Sequence, residues 1–433
     1  METIFLLLFG LGLVTCLLTG VHILCALLFG LVLFFTHGLA TGHSWKEMLG
    51  YTWKGAKKPH KLVLLLALLG CLTAFLRACG ATAFVVYHMC KFLIPSFMVL
   101  LSYWCSTLTS FLLGSATGTA ATLGPICMAL GLSMDIPPML IGGAVLSGCY
   151  TGDRCSPISS TAHLVADLTK TNPNSNVKNY MKSSFVPFAL ASLVFLVFGI
   201  VIDIIEADPT SGKIFADCFN LSPMVFLPIV AMLVLTFFHF DTRKSIALCT
   251  LIAIIIAHHY QGINLGNTLD ILIRGFDPKI KELDRVIGGG GLLSMWKLIA
   301  LVIISSCYST IFEGTGFLSK IEKLVRNLDK KVGHYATTAI VSVIVSMVCC
   351  NLALAIVVTC QLCSGNYDNK SDLAMDLENA TVPISILIPW SLAGTMIITI
   401  MDAPVSSLAS SAFLIILPIY STIIAFRVMS NNK

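Results

Sequence analysis

The sequence predicts an all-α polytopic membrane protein of two inverted repeats, each with about five spans, a re-entrant hairpin and a discontinuous helix. Three observations carry this expectation. Of 433 residues only 11% are charged and 56% are hydrophobic, with a mean hydropathy of +0.89, where a soluble protein carries about 25% charged residues. Stretches such as 183–202 and 332–367 exceed the roughly 18 apolar residues that read as a transmembrane helix. The order of apolar runs, breaks and basic segments in the first half then recurs in the second, as in membrane folds built from internal repeats. Soluble enzymes, extracellular binding modules and nucleic-acid binders are excluded, and the net charge of +5 sits in loops, where it sets orientation in the bilayer.

Runs at 4–18 and 21–39 make a first helical pair. The first lacks a basic n-region and a small-residue cleavage site, so a retained helix is expected and not a signal peptide. Lys46, Lys54, Lys57, Lys58 and Lys61 follow, and the positive-inside rule places them in the cytoplasm. A third span covers 62–78, and a short amphipathic piece at 81–93 is expected at the outer interface. The apolar runs 96–112 and 120–132 are separated by Gly114-Ser115-Ala116-Thr117-Gly118-Thr119. Two half-length helices meeting at a polar tip suit a re-entrant hairpin. After Pro137-Pro138 the chain is apolar to Leu146, breaks over 148–157 and resumes at 161–168, with Asp153 inside the break. Basic Lys170, Lys178 and Lys182, a span at 186–202 and then Asp203, Glu206, Asp208 and Asp217 describe a crossing from cytoplasm to outside. The expected division is a first repeat at 1–206, an extracellular acidic linker at 207–220 and a second repeat at 221–433.

The second half offers spans at 223–238 and 246–257, an amphipathic stretch at 265–276 matching 44–55, a span at 292–311 and a basic amphipathic helix at 317–331. An apolar pair broken at Cys350-Asn351, a discontinuous element around 378–390 and a last span at 406–426 complete it. Locally, Ser156-Pro157-Ile158-Ser159 matches Val382-Pro383-Ile384-Ser385, which sets Asp153 opposite Asn379. An odd number of crossings per half requires inversion. Charge agrees: 42–61 holds five Lys against one Glu, whereas 274–285 holds four basic and three acidic residues. The helix at 317–331 has five basic residues against two acidic, and 81–93 has only Lys91. Both termini are then cytoplasmic, in a multi-pass protein of the plasma membrane.

The 16 cysteines are scattered through apolar runs, without the spacing of a disulfide framework, and read as small buried thiols. Cys360 and Cys363 form a lone CxxC with no second pair to complete a zinc site. His258-His259 and Glu313 fall at helix ends and read as interfacial.

The chemistry concentrates at the breaks. The segment from Ser147 to Thr161 is rich in Gly, Ser and Thr around Asp153-Arg154 and Pro157. Glycine and proline free backbone carbonyls, hydroxyls add oxygens, and a hard cation such as sodium takes several oxygen ligands. A carboxylate at membrane depth costs roughly 2.5–3.5 kcal/mol on insertion scales, so Asp153 reads as functional; neutralisation by the adjacent Arg154 is the simpler alternative. Glu378-Asn379 is the second candidate, although Asp368, Asp372 and Asp376 suggest a partly solvated helix there. Ser115, Thr117 and Thr119 at the first hairpin tip and Asn351 at the second could add oxygen ligands. Trp390 after Pro389 is a candidate for the cavity wall, with packing as the alternative.

Gly152-Asp153-Arg154-Cys155-Ser156-Pro157-Ile158-Ser159, with Leu377-Glu378-Asn379 and Ile388-Pro389-Trp390, resembles the NhaC sodium/proton antiporter family of the ion transporter superfamily over most of the chain. That family resembles itself in a Gly-Asp-Lys-x-Ser-Pro-x-Ser-Asp-Thr-Thr segment and a Leu-Glu-Asp followed by Pro-Trp-Asn. It includes sodium/proton antiporters and malate/lactate exchangers. Asp153, Ser156, Ser159, Thr161, Glu378 and Trp390 carry over. Ser160 stands where the pattern has Asp, Ala162 where it has the second Thr, Asn379 where it has Asp and Ser391 where it has Asn. Two carboxylates are thus missing, which reduces the cations or protons the site can hold.

The resemblance implies a secondary transporter, without cofactor, that exchanges sodium for protons by alternating access, with Asp153 and Glu378 as sodium ligands that protonate when the ion leaves. The alternative is coupled transport of a small organic anion or amino acid, its carboxylate held by Arg154 and half-helix N-termini. Sodium, protons and the lipid bilayer are the expected partners, with a homodimer open as the assembly. No phosphate loop, HExxH or nucleophile triad supports an enzyme.

Overall fold

The computed structural model describes residues 2–19, 23–89, 95–201, 216–238, 240–278, 280, 283–284, 287–316 and 322–431. Much of the acidic linker, with Asp203, Glu206 and Asp208, lies outside the described residues, as do Lys91 and residues 317–321. Among the described residues the chain is helical throughout, apart from one isolated bridge between Phe276 and Gly289. Six helices are long and apolar enough to cross a membrane, or seven when the bent pair Lys370–Leu387 and Leu392–Ile400 counts as one span. Four shorter apolar helices accompany them. The protein is a multi-pass helical membrane protein.

The first pair, Glu2–Thr19 and Ile23–Ala40, packs together. Short Trp45–Lys57 is opened by a capping box in which Ser44 and Glu47 satisfy each other's backbone amides. It lies against Trp296–Thr315, and Lys58 reaches Glu313 at 3.3 Å on the surface. Leu265–Arg274, with Asp270 and Arg274 paired at i and i+4, is the exposed short helix of the second half. The helix Ala81–Met89 departs from expectation. Ala81, Thr82, Ala83, Val85 and Val86 are all buried, because the segment packs against His60–Ala78 and Ala116–Ser133. Its small and β-branched residues fit a protein interior better than an interface.

The first hairpin consists of Pro95–Leu113 and Ala116–Ser133, 19 and 18 residues long. Each has the length and composition of a full span, so these are not the half-length helices that the polar tip suggested. The interruption is confined to two residues, Gly114 with φ of +59° and the N-cap Ser115, and Ala116 to Thr119 are already helical. Its counterpart, His334–Cys349 and Leu352–Cys363, is shorter at 16 and 12 residues. It turns in the same way, through left-handed Cys350 and the N-cap Asn351.

The first discontinuous element is Pro138–Cys155, an interruption at 156–159, and Ser160–Thr169. Helix therefore persists through Gly148 and Gly152, and Asp153 sits in its last turn and not in the break. Those glycines serve close packing instead: a β-carbon on Gly148 would meet the Tyr103 carbonyl, and one on Gly152 the Thr107 carbonyl. Four residues apart, they present one smooth face to Pro95–Leu113, and Ser110 donates to the Cys149 carbonyl across it.

The second discontinuous element runs Lys370–Asp376, a π-helical turn at Leu377–Thr381, Val382–Leu387, an interruption at 388–391, then Leu392–Ile400 at 58° to the helix before it. Pro383 lies inside helix, so Val382-Pro383-Ile384-Ser385 does not have the backbone form of the first break, whereas Ile388-Pro389-Trp390-Ser391 does. Ser156 and Ile388 are both extended, with ψ of 131° and 122°, and Ser159 and Ser391 are both N-caps. Eleven residues beyond each of those serines stands a left-handed residue, Lys170 and Asp402.

Gly152→Ala should lower the thermal unfolding midpoint of the detergent-solubilised protein, by about 1–3 kcal/mol of overpacking strain. Gly50→Ala, where no atom lies within 4 Å of the new β-carbon, should leave it unchanged or slightly raised. Equal midpoints for the two variants would show that the helices are not in this contact.

Candidate ion site

Both hairpin tips reach the breaks. Gly114 abuts Ile158, so closely that a β-carbon there would meet it, and the Cys350 carbonyl accepts from Leu392 N at 2.9 Å. Tyr150 joins the two elements by donating to the Ala393 carbonyl at 2.9 Å.

Between them lies a buried cluster centred on Arg154. Its Nε donates to Ser184 Oγ at 2.9 Å. One terminal nitrogen donates to the Glu378 carbonyl at 2.6 Å and lies 3.4 Å from Glu378 Oε2. The other reaches Ser183 Oγ at 2.9 Å and Asn379 Oδ1 at 2.5 Å. The guanidinium also stacks 4.9 Å over the Tyr180 ring. Arg154 and Glu378 are 3% and 1% exposed as side chains, so this is an ion pair withdrawn from solvent, with the guanidinium donors engaged.

Local sequence explains why Glu378 can do this. In the π turn, Val382 N bonds to the Leu377 carbonyl five residues back. The next residue is Pro383, which has no N–H to continue that ladder, and the Glu378 carbonyl it leaves is the one Arg154 takes. The Asn379 carbonyl accepts from Tyr335 at 3.2 Å. Insertions of this kind in helices recur at functional sites.

Asp153 is not the partner of Arg154. Its carboxylate is buried, and Ser159 and Thr161 are close enough to interact with it, as is Glu378. Asp153 Oδ1 and Glu378 Oε1 have no hydrogen-bond partner. Buried carboxylate oxygens with no donor are costly and call for a proton or a cation. No three His, Cys, Asp or Glu side chains converge among the described residues, so a cation here would rest on carboxylates, hydroxyls and carbonyls, the ligands of a hard ion.

The candidates thus divide. Asp153, Arg154, Ser159, Thr161, Glu378 and Asn379 come together, and Ser156 is buried at the start of the break. The tips contribute backbone, because their side chains are used locally: Ser115 caps Gly118 N at 3.0 Å, Thr119 donates to the Ser115 carbonyl, and Asn351 caps Leu354 N at 3.2 Å. Thr117 is half-buried in the first turn after Ser115. Trp390 donates to the Met347 carbonyl at 2.9 Å, which fixes the second hairpin against the break in a packing role. Sequence reasoning missed Ser183, Ser184 and Tyr180, which lie on Pro173–Val201. The signal was a pair of hydroxyls just before an apolar run.

A cavity of about 850 Å³ borders this cluster and has Ser183 and Asn379 in its lining. Asp368, Asp372 and Asp376 line it against Lys182, and Asp376 accepts from Tyr367 at 2.7 Å.

Removing one member of a buried ion pair strands the other, which costs about 3–5 kcal/mol. Arg154→Met should therefore destabilise the detergent-solubilised protein strongly, and Arg154→Met with Glu378→Gln should recover most of the loss. Additive losses in thermal unfolding would show that the two side chains are not paired.

Comparisons with known proteins give the family. The chain matches the Na+/H+ antiporter family over residues 2–162 and 148–429. It is 24% identical to the malate-2H(+)/Na(+)-lactate antiporter of Bacillus subtilis, over 82% of this chain and 78% of that one. It is also 24% identical to the Na(+)/H(+) antiporter NhaC of Alkalihalophilus pseudofirmus, over 88% and 84%. To the arginine/ornithine antiporter ArcD of Halobacterium salinarum it is 25% identical, over 96% and 90%. A match across nearly the whole chain carries the assignment: the chain belongs to the Na+/H+ antiporter (NhaC) family of secondary transporters and is not an enzyme.

Proposed function

We propose that this transporter exchanges sodium for protons by alternating access, with Asp153 as the group that holds either ion. The observation that carries this reading is the buried Asp153 carboxylate, whose Oδ1 has no donor beside the hydroxyls of Ser159 and Thr161. A sodium ion or a proton satisfies it equally in charge, and the two compete for it. Desolvation in the membrane interior disfavours the empty, charged form, which discourages return of an unloaded carrier. Glu378, Asn379 and the hydroxyls around Arg154 form the wall opposite.

The halves act as inverted repeats in this proposal. The recurrence of a left-handed residue with a capping side chain at each hairpin tip, and of x-Pro-x-Ser at each break, supports that reading. In this proposal both termini lie in the cytoplasm and the protein in the plasma membrane, a reading that the basic loops support. A second reading, coupled exchange of a small organic anion or amino acid, is favoured by the size of the cavity, about 850 Å³, which far exceeds a bare ion. Arg154, with its donors already engaged, is not free in this conformation to hold a substrate carboxylate.

In liposomes that report internal pH, sodium added outside should drive proton movement, and Asp153→Asn should reduce it at least tenfold at equal protein level. Near-normal movement in that variant would remove Asp153 from the site, and movement seen only when malate, lactate or an amino acid is supplied would favour the second reading. Orientation is checked separately by impermeant thiol labelling. Cysteine at position 54, in place of Lys54, should label from the cytoplasmic side, and Asp270→Cys from the outside. Labelling of both from one side would contradict the inverted arrangement.

A further inference from the structure

We infer that Arg154 is a built-in counter-cation that occupies Glu378 and thereby limits the site to a single transported positive charge. This inference rests on the sodium/proton reading above and adds to it the number of ions held.

The argument is a count of charges withdrawn from water. Two carboxylates, Asp153 and Glu378, and one guanidinium, Arg154, are buried within one cluster. Their near neighbours Ser159, Thr161, Ser183, Ser184 and Asn379 are uncharged, as is Ser160 at the head of the helix after the break. With both carboxylates ionised the cluster carries one uncompensated negative charge. Geometry says which carboxylate it is: Arg154 lies 3.4 Å from Glu378 Oε2 and donates to the Glu378 carbonyl and to Asn379 Oδ1. It makes no hydrogen bond to Asp153. Being covalently attached, the guanidinium cannot leave with the cargo. Its planar fork is locked by two serines and an aromatic face, which a mobile gate would not have.

The position of Arg154 reinforces this. Ser183 and Asn379 line the cavity, and Arg154 is bonded to both of them through one terminal nitrogen and to Glu378 through the other. A cation arriving through the acidic cavity therefore meets a site in which one carboxylate is already neutralised. Binding one more positive charge makes the cluster neutral, and a second would leave it with a net positive charge out of water, which is unfavourable.

The test counts sodium on the purified, full-length chain by equilibrium binding of radioactive sodium at alkaline pH, in the wild type, Glu378→Gln, and Arg154→Gln with Glu378→Gln. All three are first checked for monodisperse elution. Charge counting predicts about one sodium per wild-type chain, binding weakened at least tenfold in Glu378→Gln, where the Arg154 charge instead offsets that of Asp153 in the same buried cluster, and about one sodium again in the double variant. A merely structural role for Arg154 would not restore binding when both charges are removed. One sodium on the wild type with none on the monodisperse double variant, or undiminished binding in Glu378→Gln, overturns the inference and leaves the sodium reading intact. No sodium on the wild type overturns both. Should Glu378→Gln fail to fold, the double variant alone decides the matter by binding sodium or not.

Discussion

The ion pair between Arg154 and Glu378, at 3.4 Å and almost wholly out of solvent, is the constraint around which the rest of the site is arranged. A buried guanidinium needs its other donors met as well. The chain meets those of Arg154 with Ser183 and Ser184 from one helix, the Asn379 amide oxygen, and a carbonyl left without its helical donor by Pro383, while Glu378 Oε1 stays without a donor. The π turn, the proline and the long helix bearing the serines are thus parts of one solution. Satisfying Arg154 in this way leaves Asp153 without a counter-charge, and that surplus is what a transported cation or proton can relieve.

Packing holds these parts at the required depth. Gly148 and Gly152 allow the helix bearing Asp153 to approach the first hairpin closely, while Gly114 and Cys350 bring the hairpin tips onto the two breaks. Tyr150 and Trp390 then tie breaks and hairpins together through backbone carbonyls. Sequences of this kind use small residues where helices must touch and hydroxyls where backbone must turn. The same residues therefore read as structural or functional until their partners are known.

Much of the fold was legible because a bilayer admits few solutions. Long apolar runs, basic loops and breaks marked by Gly, Pro, Ser and Thr identify the helices and their interruptions nearly to the residue at 60–78, 334–349 and 352–363. Asp153 and Glu378 stood out as carboxylates in apolar surroundings. The errors share a physical origin. Glycine marks both a break and a close contact, so Gly148 and Gly152 were expected to unwind a helix that they in fact pack. Proline both ends helices and lives within them beside a π turn, so Pro383 was matched to Pro157 although it is Pro389 that stands in a break of the same local form. Ser183 and Ser184 show only as a pair of hydroxyls before an apolar run and Tyr180 as a single aromatic, and tertiary packing alone brings them to Arg154. The Ala81–Met89 helix has too weak an amphipathic pattern to tell an interface from an interior.

The central claim is that one buried carboxylate accepts sodium or a proton but not both. Sodium binding to the purified chain, measured across a series of pH values, tests it most directly. Competition at one group predicts that each sodium bound displaces one proton, so that below the carboxyl's pKa the apparent sodium affinity falls about tenfold per pH unit. A sodium affinity that stays constant as the pH is lowered through the carboxyl titration, with the protein still folded, would contradict the account.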